Sequence, residues 1–139
     1  METRNQTRGE RNCNPLNIKK TNVKWHGRIE GNDPIFESFK NNYYGYRAAL
    51  ICLYKHYRTG SNTINLLISK WAPSSENITC NYVDYVSSRS LLSPNKQFLW
   101  SYSNVYLIMY YMCKFENGKI IDNDALLTVI YEFFYFYVV

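Results

Sequence analysis

Tyr46, Ala49, Leu50, Leu53, Tyr54 and Tyr57 fall at i, i+3, i+4, i+7, i+8 and i+11, so they share one face of a helix. A strand would throw members of that set to opposite faces. The same spacing returns at Ile64, Leu67, Ile68 and Trp71, and again at Thr79, Tyr82, Val83 and Val86. A longer run from about Phe98 to Glu116 aligns Val105, Ile108, Met109, Met112 and Phe115. A last one aligns Leu126, Val129, Ile130, Phe133 and Tyr137. Stop signals lie between the runs: Thr59-Gly60-Ser61, Pro73 and Gly118. Ser61 or Asn62, Ser74-Ser75, and Asp122 or Asn123 can start the helices that follow. Residues 87–96 are polar, contain Pro94 and read as a connection. The pattern predicts five helices.

One segment follows another rule. Val23 to Glu30 alternates roughly, Gly31-Asn32-Asp33-Pro34 is a turn signal, and Ile35 to Phe39 can return as a second strand. A lone hairpin is marginal in water, so this one must pack on the helices. The expected fold class is mainly α (α+β): about five helices with a small β-hairpin. With 139 residues, one domain spanning 1–139 is expected, with residues 1–7 frayed.

The formal charge is +5 with a pI near 9.0, which favours polyanions or an acidic partner without choosing among them. No basic helix or run of Lys and Arg points to nucleic acid. The polar N-terminus shows no signal peptide, and the longest apolar run is interrupted by Glu132, so no membrane insertion is expected. Cys13, Cys52, Cys80 and Cys113 match no zinc spacing, and Cys52 and Cys113 sit in apolar helical patterns as buried thiols. No metal, nucleotide or nucleophile motif appears, so no cofactor and no metal are expected.

Arg8 to Ile18 stands apart, with three asparagines, a glycine and a proline and no helix or strand pattern. Asn12, Asn14 and Asn17 can bind the acetamido group or hydroxyls of an amino sugar, or can close turns by bonding backbone amides. Trp25, expected in a short exposed β element, is a candidate for stacking on a sugar, whereas Trp71 reads as core.

These blocks recur together in one family. Arg8-Gly9-x-Arg11-Asn12-x-Asn14-Pro15-Leu16-Asn17-Ile18, Trp25-x-Gly27, Phe36-x-x-Phe39, Gly45-x-Arg47-Ala48, Trp71-Ala72-Pro73, Glu76-Asn77-x-Thr79 and Tyr82-Val83 resemble a family of phage virion-associated proteins. The family occurs in phages and in prophage-like regions of Gram-negative bacteria, Bacteroides among them, usually described only as structural proteins. The resemblance covers roughly residues 8–88. It implies a lysozyme-like or transglycosylase-like role on peptidoglycan. The Asn-Pro-x-Asn-Ile block is also similar to the Asn-Asn-x-x-Gly-Ile segment of cell-wall glucosaminidases. The family pattern has an apolar residue where this chain has Glu10, so Glu10 is not carried over.

Glycoside cleavage needs a proton donor, and a carboxyl in an apolar setting holds its proton towards neutral pH. Glu116, ending an apolar helix before Asn117-Gly118, is the first candidate. It is similar to the helix-ending Glu-Ser-Gly of lysozyme-like transglycosylases. There the Glu precedes the other blocks, so a circularly permuted order is implied here. The competing reading is a solvated residue in a last helical turn. Glu76 is the second candidate, with a helix-dipole role as its competitor. Glu10 is the third, and Glu37 reads as facing out of the hairpin.

The expectation is a muramidase or lytic transglycosylase acting on peptidoglycan, used as a phage-associated lysin or an antibacterial effector. Such a protein is made in the cytoplasm and acts in the periplasm of a target cell or from a virion. As an effector it implies an acidic immunity protein as partner. The alternative is a non-catalytic structural or wall-binding component of a phage tail or contractile secretion apparatus.

Overall fold

The computed structural model describes residues 5–73 and 76–137; the side chains of Glu76, Asn77 and Tyr137 fall outside the described set. The expected start at Ser74-Ser75 and the inward placement of Tyr137 therefore lie outside the described residues. Six α-helices and one two-stranded sheet are present among those described. The chain is thus mainly helical with a small antiparallel hairpin. The helices are α1 (Arg8–Arg11), α2 (Asn42–Arg58), α3 (Ile64–Trp71), α4 (Glu76–Ser90), α5 (Tyr102–Asn117) and α6 (Asn123–Glu132). A π-helical turn, Phe133–Tyr137, follows α6.

The starts of the helices show why they form where they do. Asn41, Thr63, Ser101 and Asp122 each accept a backbone N–H from the first turn of α2, α3, α5 and α6. Helix α3 is capped by Thr63, one residue beyond Asn62. Helix α5 starts at Tyr102, because Ser101 caps it and the preceding stretch is non-helical. Helix α4 runs on to Ser90, into the stretch read as a connection. Gly118 ends α5 in the left-handed conformation, φ 75°.

The sixth helix is α1, inside the stretch read as having no helical pattern. Thr7 accepts the Glu10 N–H, and the Glu10 carboxylate accepts the Thr7 N–H at 2.9 Å. This capping box explains a single helical turn in so polar a segment. It also holds Thr7 in place, against the expectation of a frayed end through residue 7. The hairpin is shorter than expected: β1 (Arg28–Ile29) pairs with β2 (Ser38–Phe39) in the register Arg28↔Phe39 and Ile29↔Ser38. An isolated antiparallel bridge joins Lys19 to Phe36.

Helix α5 packs on α4 and α6, α2 packs on α6 and α3, and α1 rests against α5. Tyr46, Leu50, Leu53, Leu67, Ile68, Met109, Met112, Leu126 and Ile130 fill the space between. Every inward position of α2 to α6 named from spacing is buried or half-buried, apart from the undescribed Tyr137. Leu16 and Pro15 are also buried, so the Asn-rich segment is part of the core.

Gly45 lets that segment dock. A Cβ at this position would lie 2.2 Å from the Cys13 carbonyl oxygen and 2.8 Å from Pro15 Cδ. Gly45→Ala is expected to destabilise the fold by about 1–3 kcal/mol, as overpacked cores do. Urea unfolding checks this, and an unchanged midpoint would show that the segment docks more loosely.

Candidate functional site

The C-terminal end of α5 meets the Asn-rich segment. Asn117 makes the seam. Its amide donates to the Pro15 carbonyl at 2.8 Å and to the Cys113 carbonyl at 3.0 Å, while its oxygen accepts the Thr7 hydroxyl at 2.7 Å. One residue earlier, Glu116 turns the other way, into a cleft of about 230 Å³. Asn17, Lys19, Phe36, Trp71, Tyr82 and Phe115 share this cleft with it.

The cleft is mostly apolar. Tyr82 and Phe115 stack with ring centroids 4.1 Å apart and planes 22° from parallel. Trp71 stands half-buried at the end of α3, and the Thr79 hydroxyl donates to the Ala72 carbonyl at 2.7 Å. Phe36 is clamped from behind by the Arg8 guanidinium, 4.5 Å from its ring centre.

Among the described residues, the groups that bind Glu116 are neutral. The Asn17 amide donates to its Oε1 at 2.9 Å across 99 residues of sequence. The fully buried Tyr82 hydroxyl faces the same carboxyl without reaching the geometry of a full hydrogen bond. Burial pushes the Glu116 carboxyl above its ordinary pKa, and Asn17 and Tyr82 pull it only part of the way back. Such a group keeps its proton further towards neutral pH than a solvated carboxyl.

The other carboxylates around the segment are in the opposite condition. Glu10 feels burial upwards, but the Thr7 N–H and Lys119, 2.9 Å away, bring it below its usual value. Asp33 is gripped by Arg8 at 2.6 and 2.8 Å and receives the Ile35, Phe36 and Asn12 N–H groups, which hold it well below the carboxylate range. Glu37 is buried and paired with Arg28 at 2.9 Å, so it does not face out of the hairpin as expected. The beginning of the chain's functional stretch therefore supplies structure through its acids, and Glu10 in particular is committed to capping α1.

The asparagines divide in the same way. Asn14 is fully buried, donates to the Ile18 and Glu37 carbonyls at 3.0 and 2.9 Å and accepts the Ile18 N–H at 2.9 Å. Asn12 donates to Asp33 at 3.0 Å and accepts the Ser38 hydroxyl at 3.1 Å. Both are spent inside the fold: Asn14 bonds backbone groups, as the turn-closing reading has it, whereas Asn12 bonds the side chains of Asp33 and Ser38. Asn17 alone of the three reaches the cleft, placed there by a left-handed backbone, φ 55°. Trp25 does not stand on an exposed strand. It lies half-buried in the loop before β1, packed on the core and outside the cleft, and the rings that line the cleft are Trp71, Phe36, Tyr82 and Phe115. Helical spacing hid Trp71, since a last-turn residue can be periodic and still face an opening. Glu76 begins α4, between the cleft residues Pro73 and Ile78, and its side chain lies outside the described residues.

No family model matches the sequence. Protein P5 of Pseudoalteromonas phage PM2 is 38% identical over 95 residues, covering 65% of this chain and 59% of that protein. The chain thus spans less than two thirds of that relative's length. It is a mainly helical protein similar to a phage protein. No helix among the described residues is long and apolar enough to cross a membrane.

The raised Glu116 carboxyl has a consequence for stability. Its folded pKa lies above the unfolded value, so between the two the folded chain binds more protons and stability falls as pH rises. Glu116→Gln removes this titration. Its melting temperature relative to wild type is expected to climb from below pH 4.5 to neutral pH. A difference independent of pH would show that burial does not shift the carboxyl.

Proposed function

We propose that this is a phage-associated protein that cleaves the glycan strands of peptidoglycan, with Glu116 as the general acid. The observation that carries this is a half-buried carboxyl with no ion-pair partner among the described residues, opening on a cleft walled by aromatic rings. Asn17 occupies Oε1, which leaves Oε2 to hold the proton and pass it to the glycosidic oxygen. Trp71 and Phe36 offer ring faces to the sugar.

Among the described residues lining the cleft, Glu116 is the one carboxyl group. Hydrolysis with a dedicated nucleophile or base needs a second. A lytic transglycosylase does not. Once Glu116 has protonated the leaving oxygen, its carboxylate can take the proton of the sugar's own C6 hydroxyl as that oxygen bonds C1. The product is a 1,6-anhydro sugar, and the acid is restored. A muramidase reading would need Glu76 as the second carboxyl.

The second reading is a non-catalytic structural or wall-binding component of a phage particle or contractile apparatus. The likeness to a phage protein favours it, because that likeness supports a phage association and brings no chemistry with it. An acidic immunity partner belongs only to the effector version of the first reading.

Purified protein and its Glu116→Gln variant, incubated with peptidoglycan and followed by mass spectrometry of soluble fragments, separate these readings. Anhydro-muropeptides from wild type, reduced on the order of 10²–10⁴-fold in the variant, are the expected result. Reducing muropeptides lost also in Glu76→Gln would indicate the muramidase. No fragments from any form, beside an active control lysozyme, would leave the structural reading.

A further inference from the structure

Lys19 is the one cation among the described residues that line the Glu116 cleft. Arg8, Arg28 and Lys119 are paired with Asp33, Glu37 and Glu10. Lys19 has no carboxylate within ion-pair distance among the described residues, although its backbone is tightly held. It bridges Phe36, and its neighbour Ile18 has both its N–H and its carbonyl bound by Asn14. The Lys20 N–H donates to the Ile35 carbonyl at 2.8 Å and the Glu37 N–H to the Ile18 carbonyl at 2.9 Å, closing the frame on either side. A mobile ammonium thus springs from a fixed base at the rim.

Its surroundings make that charge count. The rest of the described lining is aromatic, aliphatic or amide, apart from Glu116. In the proton-bearing form of Glu116 that acid catalysis requires, Lys19 supplies the one formal charge of the described lining. A neutral polysaccharide gains nothing from such a charge. A glycan with a carboxylate on a side arm gains an ion pair inside a partly desolvated groove. The Glu116 carboxyl is held by Asn17 and faced by Tyr82, and among the described residues no ion pair joins it to Lys19.

We propose that Lys19 makes this cleft selective for glycans bearing a side-arm carboxylate, such as the lactyl group of muramic acid or the peptide it carries, over neutral chitin-type chains. This rests on the reading of the cleft as a glycan site.

Calorimetric titration of the Glu116→Gln protein tests it, since that variant binds without turnover. The probes are chitotetraose, a muramic-acid-containing tetrasaccharide with free lactyl carboxylates, and the same strand with its peptides. The anionic strands are expected to bind about three- to tenfold more tightly than chitotetraose at low salt. That preference should shrink at high salt and disappear on adding Lys19→Gln, with chitotetraose binding unchanged. The two anionic strands show which carboxylate is read. Equal weakening of all three ligands, or a preference that survives Lys19→Gln, overturns the proposal. If no glycan binds, the glycan-site reading falls with it. If binding follows Lys19 yet wild type releases no fragments from peptidoglycan, the selectivity stands and catalysis does not.

Discussion

The Asn117 side chain holds together two parts of the chain that are distant in sequence. A helix end leaves carbonyls without partners, and a loop rich in turns leaves carbonyls and hydroxyls without partners. Asn117 answers both, donating to Cys113 in its own helix and to Pro15 in the loop while accepting from Thr7. Gly9 permits the approach, since a Cβ there would come within 2.5 Å of the Asn117 oxygen. With this seam closed, the neighbouring Glu116 has only one way to point, into the groove that the loop itself helps to wall. The placement of Asn17 against the carboxyl is then a result of docking the whole segment, not of a local turn.

Charge is sorted across this seam. The loop carries several acids and bases at close quarters, and the fold pairs them: Arg8 with Asp33, Arg28 with Glu37, Lys119 with Glu10. For Asp33 and Glu10 the pairing favours the charged form and lowers the carboxyl below its ordinary pKa. Glu116 is left with an amide and a phenol. An amide stabilises the ionised form less than a cation does, so desolvation outweighs it and the carboxyl is raised above its ordinary pKa. The same arrangement costs stability as pH rises, the reverse of what a carboxylate paired with a cation does.

How much of this could be read beforehand follows from the range of the interactions. Helices α2 to α6 were legible because each follows local spacing, and those with a described cap take it from the residue just before the first turn, as with Thr63 and Asp122. Glu116 was legible for the same reason: an apolar face, a terminal glycine and an acid at the end of the helix are all local. The division among Asn12, Asn14 and Asn17 was not, because it depends on partners 21 to 99 residues away. Thr7-Arg8-Gly9-Glu10 did carry a local sign, the capping-box spacing, and it marks both α1 and the structural role of Glu10. Trp71 packs on the core as expected and also lines the cleft, whereas Trp25 does not reach it, because exposure depends on what packs across a strand or helix and spacing alone does not show an opening.

The order of the parts bears on the permuted arrangement implied by the resemblance. In the expected order the acid would precede the polar loop; here the loop comes first and the acid follows about a hundred residues later. The geometry does not depend on that order. What it requires is a helix end offering Glu-Asn-Gly, a loop able to accept the Asn117 bonds, and a ring such as Tyr82 to dry the carboxyl from the side. Each contact is between side chains or across a surface, and none needs the two segments to be joined. A chain that supplies them in either order pays the same loop-closure entropy to within a slowly varying logarithm of the separation. The constraint on such a protein is therefore the seam itself, and the sequence is free to reach it from either side.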